Sequence, residues 1–273
     1  MDWKSKPALV VMLLAVAGAA SAADLQPQTI VAWDRYVAET ERQMAATLND
    51  QARFVWVDGL QEPDRRTRLA ALRAGGLLIE RLETKDGGKK LEAPGGLIHH
   101  WLGAVFVPGA SVDQAVALLQ DYDRHSEIYK PAIVQSKLLA RDGDMFRMSL
   151  RFFMKRVISV VVNTEHEARF SRPSPTRAYS RLVSTRIAEV EHPGTSREAE
   201  KPVGRDGGYV WRLNSYWRFL ERDGGTYVQC ESITLSRRIP TGLGWLIGPF
   251  VTSIPRDSLT FLLERTRDTL TVR

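Results

Sequence analysis

The chain has 273 residues, 44% hydrophobic and 26% charged, an ordinary globular composition with room for one large domain or two small ones. Its formal net charge is +6, yet the arginines are interspersed with acidic residues and form no dense run, which argues for a solvated surface and against a nucleic-acid partner. Cys230 is the only cysteine, so an intramolecular disulfide, a CxxC redox site and a zinc finger are excluded.

Residues 1–22 open with Lys4 and Lys6, continue in an apolar run over 8–17 and close on Ala20, Ser21 and Ala22. That is the pattern of a cleaved secretory signal, and its apolar core is shorter than the ~20 residues that span a bilayer. The mature chain is therefore expected outside the cytoplasm, periplasmic in a Gram-negative host and extracellular otherwise. Next, "TIVAWDRYVAETERQMAATL" repeats Ile30, Trp33, Val37, Met44 and Leu48 at helical spacing, which predicts an amphipathic helix in need of a surface to cover. A short helix over 63–74 ends at Gly75 and Gly76, and "LLIERLETKDGGKKLE" reads as strand, tight turn and strand about Asp86-Gly87.

From Leu97, "LIHHWLGAVFVPG" predicts a strand stopped by Pro108-Gly109. Neighbouring His99 and His100 would point to opposite faces of it and so could not easily share a metal. "SVDQAVALLQDY" follows as a helix capped by Ser111 and Gln114. Strands are then expected over 133–139, 145–154, 157–170, 176–191, 208–222 and 226–237, joined by turn sequences that suit an antiparallel meander, with a polar surface loop inside 191–208. No charged residue occurs from 239 to 255, a stretch interrupted by glycine and proline, and an amphipathic helix carrying Leu259, Leu262, Leu263, Thr266 and Leu270 closes the chain. The fold class expected is α+β, a helix-grip in which an antiparallel sheet wraps around a long C-terminal helix, with an N-terminal helical extension. The divisions are 1–22 signal, 23–96 extension and 97–273 ligand-binding domain.

This element order, "YDRHSEIYKPAIVQSKLL" after the first helix of that domain, and "GTYVQCESITLSRRIPTGLGWLIGPFV" before the last one resemble the START-like superfamily, also called SRPBCC, over about 97–270. The resemblance implies an apolar cavity between sheet and C-terminal helix, which members use for sterols, phospholipids, quinones, polyketides or plant hormones. It leaves 23–96 unexplained.

Alternation along 209–219 places Trp211, Trp217 and Phe219 on one apolar face. With a three-residue turn at Asp223-Gly224-Gly225, Trp217 would oppose Glu231 and Ser215 would oppose Ile233. Glu231 then becomes a carboxylate on an aromatic wall, a polar anchor in an apolar pocket. A two-residue turn would shift this register, and an arginine could neutralise Glu231. The expected ligand-binding residues are Trp211, Trp217, Phe219, Glu231, Ile233, Trp245 and Phe250, the last two as cover from the 239–255 loop, which could also touch a membrane when open. The expected partner is a hydrophobic small molecule or lipid, with no cofactor, no metal and no nucleic acid, and a protein partner is not specified. An alternative is a cofactor-free cyclase or hydratase using His125 and Tyr129, with His166 a further candidate. No Ser-His-Asp order or paired-carboxylate pattern supports it. Another is an envelope interaction module that docks a protein through the N-terminal helix and the arginine-rich surface.

Overall fold

The computed structural model describes residues 23–272 apart from 49, 51, 156–158 and 239–243, and gives the backbone alone for 244–252. Helices are α1 (Pro27–Leu48), α2 (Asp64–Arg73), α3 (Val112–Gln120), the single turn α4 (His125–Ile128) and α5 (Gly244–Thr271). The main sheet contains β1 (Leu77–Arg81), β2 (Gly96–Pro108), β3 (Ile133–Asp142), β4 (Met145–Lys155), β5 (Ser159–Ser174), β6 (Arg177–Glu191), β7 (Ala199–Glu200), β8 (Arg212–Arg222) and β9 (Gly225–Arg237). Its nine strands are ordered β1-β2-β9-β8-β6-β5-β4-β3, with β7 added at the end of β6, and all pairs are antiparallel. This is the α+β helix-grip arrangement: one face of the sheet holds α5 and the other is covered by α1 and α2.

Local chemistry explains the elements. The Ser111 hydroxyl accepts from the Gln114 N–H and the Gln114 side chain accepts from the Ser111 N–H, so α3 begins in the capping box read from sequence. Asp223 and Gly224 alone connect β8 to β9, with φ of 59° and 77°. Two consecutive positive φ values make the tight hairpin turn whose twist matches the strands it joins. The pairing is therefore Arg222 with Gly225, Trp217 with Cys230 and Tyr216 with Glu231. The expected pairing of Trp217 with Glu231 is off by one residue, and Glu231 and Ile233 lie on the face opposite Trp217 and Phe219.

On the outer face, Trp33, Tyr36, Val37 and Met44 of α1 pack with Trp211, Tyr216, Ile233 and Leu235. Phe54, Val55, Val57, Leu69 and Leu72 cover Leu102, Ala104, Phe106, Leu220 and Tyr227 beside them. Polar contacts lock the extension down. Arg218 donates to Thr47 Oγ1 and Phe54 O, both at 2.8 Å, Tyr216 donates to Glu41 at 2.7 Å, and Arg222 binds both oxygens of Asp58. The helices α1 and α2 are thus the second layer of the sheet, and β1 is its edge strand.

Three expectations change. The strand at Leu77–Arg81 pairs with β2 rather than with 89–92, because its apolar side chains find a sheet edge there. The Gly87-Gly88 turn joins only the exposed two-residue strands Lys85–Asp86 and Lys89–Lys90. The loop inside 191–208 is tied to β6 through β7, and Arg205–Asp206 pairs with Ala23–Asp24. Finally, the 239–255 segment is helical from Gly244, so Pro255 lies inside α5 rather than at its start. Pro249 and Pro255 each lack the N–H that would complete a helical hydrogen bond.

The grip closes on Gly103 of β2. A Cβ at this position would run into the side chains of Leu263 and Ile79 and stand 3.3 Å from Leu259, so the absence of a side chain lets α5 seat against the strand. Toward its C-terminus the helix is held by Arg265 to Ile128 O, Tyr129 to Thr266 and Arg267 to Gly75 O, at 3.0, 3.0 and 2.7 Å. A Gly103→Val variant is expected to lose about 1–3 kcal/mol through overpacking, read as a lower urea midpoint at unchanged slope.

Candidate functional site

The inner face of the sheet has two halves. One is fully packed: Val105, Val107, Met148, Ala168, Phe170, Ala178, Trp217, Phe219, Val228 and Cys230 are buried against α3, Tyr129 and the later turns of α5. Because Leu259 and Leu263 sit over Gly103 and Arg267 reaches Gly75 beside Val105, the earlier turns of α5 extend toward Trp101. There the second half of the face is only half-buried, and it carries Trp101, Phe152, Leu182 and Leu213 with the hydroxyl side chains Ser232 and Thr234. Register places these six on the face that holds α5. Trp101, Phe152 and Leu182 pack against the edge of the first half's core, and an apolar floor with a few hydroxyls is a composition that small-molecule sites share.

His166 sits where the two halves meet. It is 1% exposed, pairs across the sheet with Met148 and Ser184, and stands edge-on to Phe152 with ring centroids 6.4 Å apart. Its Nε2 lies 2.7 Å from Thr164 Oγ1, while Nδ1 has no hydrogen-bond partner. An unsatisfied buried polar atom costs about 1–3 kcal/mol, so this one calls for an account. Burial alone pushes the His166 ring down to about 4, and it is neutral at physiological pH. His99, also on the inner face, bonds Ser236 at 3.0 Å and is pushed down to about 4 by burial with a smaller contribution from Arg81. Burial likewise drives the Cys230 thiol well above its ordinary range, with Glu231 adding to the effect. This cysteine is a packing residue.

The expected site residues are divided by the sheet. Trp217 and Phe219 lie on the inner face, their rings stacked, within the packed half. Trp211 precedes β8, donates its indole N–H to Asp206 at 3.0 Å and packs with α1 on the other side. Glu231 and Ile233 are on that outer face too. Glu231 Oε1 is 2.7 Å from His100 Nε2, and His100 Nδ1 is 2.9 Å from the hydroxyl of Tyr36, which accepts from Thr84 N–H at 3.0 Å. Glu231 is thus the end of a buried chain that clamps α1 to the sheet, and the two-residue turn puts it on the face opposite Trp217 and Phe219. Its charge also supports the buried guanidinium of Arg218, against the larger effect of burial.

The side chains of Trp245 and Phe250 lie outside the described residues. His125, the catalytic candidate of the alternative reading, is buried between Tyr122 and Tyr129, since the turn of α4 carries it inward. Trp101, Phe152, Leu182, Leu213 and His166 carry the open half. Alternation along "VVNTEHEARF" and the neighbouring strands, with Asp-Gly taken as a two-residue turn, would have found them.

Elsewhere, hollows of about 390 and 460 Å³ occur on the outer layer, one among Arg65, Arg66, Arg73 and Arg222, the other among Val31, Arg35, Leu91 and Pro94. Among the described residues no cluster of three or more His, Cys, Asp or Glu is placed to hold a metal, and no helix is long and apolar enough to cross a membrane.

No protein-family model and no curated protein sequence matches the chain. Solved structures similar to it include a STAR-related lipid transfer protein fragment from Xanthomonas axonopodis, at 16% identity, 68% of this chain, 98% of that one and a TM-score of 0.43. The Zhui aromatase/cyclase from Streptomyces sp. R1128 matches at 14% identity over 65% of this chain and 97% of its own, with a TM-score of 0.41. Human STARD10 matches at 7% identity, 81% and 83% coverage and a TM-score of 0.41.

The buried histidines make stability depend on pH. His99, His125 and His166 are pushed down to about 4, chiefly by burial, so between roughly pH 6.5 and 4 the unfolded chain binds protons that the folded chain does not. Stability is full above that window and falls as pH drops through it, by roughly 3 kcal/mol per ring at most. Asp206, whose carboxyl is raised by burial and by Glu189, works in the opposite direction. Urea midpoints are expected to decline steadily from neutral pH to about pH 4.5. A His166→Phe variant should show a shallower decline.

Proposed function

We propose that the protein is an exported binder or carrier of a hydrophobic small molecule, a lipid, quinone or polyketide-like compound, seated between the inner face of the sheet and the earlier turns of α5. The half-buried floor of Trp101, Phe152, Leu182 and Leu213 carries this reading, because the rest of the same face is packed to closure. The START-like resemblance of 97–270 points the same way, and the leader pattern of 1–22 supports export. The charge-free segment 239–255 is then the part that borders the ligand and touches a membrane when the ligand enters or leaves.

Native mass spectrometry of protein purified from its own host is expected to show a bound apolar molecule. Persistently empty protein that also binds nothing in a panel of lipids and quinones would sink the reading. Filling the floor with a Leu182→Trp variant is expected to weaken uptake about tenfold, or ~1.4 kcal/mol, in a protein that still melts cooperatively. Replacing Trp245 and Phe250 with serine is expected to speed ligand loss from an intact sheet; unchanged retention would remove that segment from the site.

A further inference from the structure

Among the described residues, one side-chain polar atom on the inner face of the sheet lacks a partner, and its neighbours determine what it can accept. Thr164 Oγ1 donates to Leu150 O at 3.1 Å, so at 2.7 Å it can only accept from His166, which places the ring proton on Nε2. Nδ1 is then a bare lone pair that no group among the described residues meets. A carboxylate, ketone or ether would bring only lone pairs to this atom, and an ammonium would bring a charge that apolar surroundings penalise. A hydroxyl brings one donor and no charge. Nε2 of His125 is also unpartnered, but Tyr122 and Tyr129 enclose it away from the open half.

We propose that His166 Nδ1 accepts a hydrogen bond from the ligand, and that the ligand class is a neutral apolar alcohol or phenol. The inference rests on the binding reading above and narrows it from any hydrophobic molecule to those that carry a donor. In the conformation described, Nδ1 is sealed and the ring of Phe152 stands against His166. Binding therefore requires a local opening that uncovers Nδ1, and it exchanges an unpaired atom for a paired one. The hydroxyl enters first and the apolar body lies along Leu182, Leu213 and Trp101.

The test compares dodecanol, dodecyl methyl ether and dodecanoate by calorimetry at neutral pH, with wild-type protein and His166→Phe. Wild type is expected to bind the alcohol about tenfold more tightly than the ether or the acid, and His166→Phe to bind alcohol and ether equally. Equal binding of alcohol and ether by wild type, a preference for the acid, or a preference that survives in His166→Phe would overturn the proposal while leaving the protein a binder. Binding of none of the three would overturn both readings. Nitrogen NMR of wild type needs no variant: the Nδ1 resonance is expected to shift with dodecanol and not with the ether, and an Nδ1 that ignores the alcohol counts against the proposal.

Discussion

Tyr216 stands opposite Glu231 because only Asp223 and Gly224 turn β8 into β9, and every assignment of side chains to the inner or outer layer depends on that count. Side chains alternate along a strand, so one more residue in the turn would exchange the two layers across the middle of the sheet. With the turn as it is, Glu231 meets His100 beneath α1 while Cys230 packs with Trp217 beneath α5. The carboxyl of Asp223 also accepts from the Tyr227 hydroxyl at 2.7 Å, which fastens the turn to its own strand.

From that register follows a division of labour. The outer layer concentrates its charged and polar groups in a satisfied network, in which Arg218, Glu41, Asp58 and the chain from Tyr36 to Glu231 all have partners. Such a network fixes geometry, with Asp206 Oδ2 beside Trp211 as a buried exception that has no partner among the described residues. On the inner layer the relation is reversed: few polar groups, one of them unpaired, and half of the apolar floor incompletely covered. The later turns of α5 are held separately, by Leu259 and Leu263 over Gly103.

Much of this architecture was legible in the sequence. The capping box at Ser111, the six strands of the meander and the amphipathic stripes of α1 and α5 follow from local patterns, and local patterns are what sequence periodicity reports. The extension's role followed only in part: the stripe of Trp33, Val37 and Met44 required a surface, but which surface is a matter of tertiary contact. The site was less legible for two physical reasons. Treating Asp223-Gly224-Gly225 as the turn misplaced Glu231 and Ile233 by one residue, hence by one face. And whether Trp217 or Trp101 borders a ligand depends on how far along the sheet α5 is seated, which alternation alone does not encode.

Arg218 reaches Thr47 across 171 positions of chain, and Gln229 accepts from the backbone of Trp56 across 173. The strand that bridges β2 to β8 is β9, the last of the sheet to be synthesised, so neither layer can close around its core before the final quarter of the polypeptide is present. Contacts of such long range slow folding, because loop closure has to be met before those contacts reward it. A nascent chain of this design keeps both layers open until it is nearly complete, which places the burden of protecting its apolar faces on whatever holds it in the meantime.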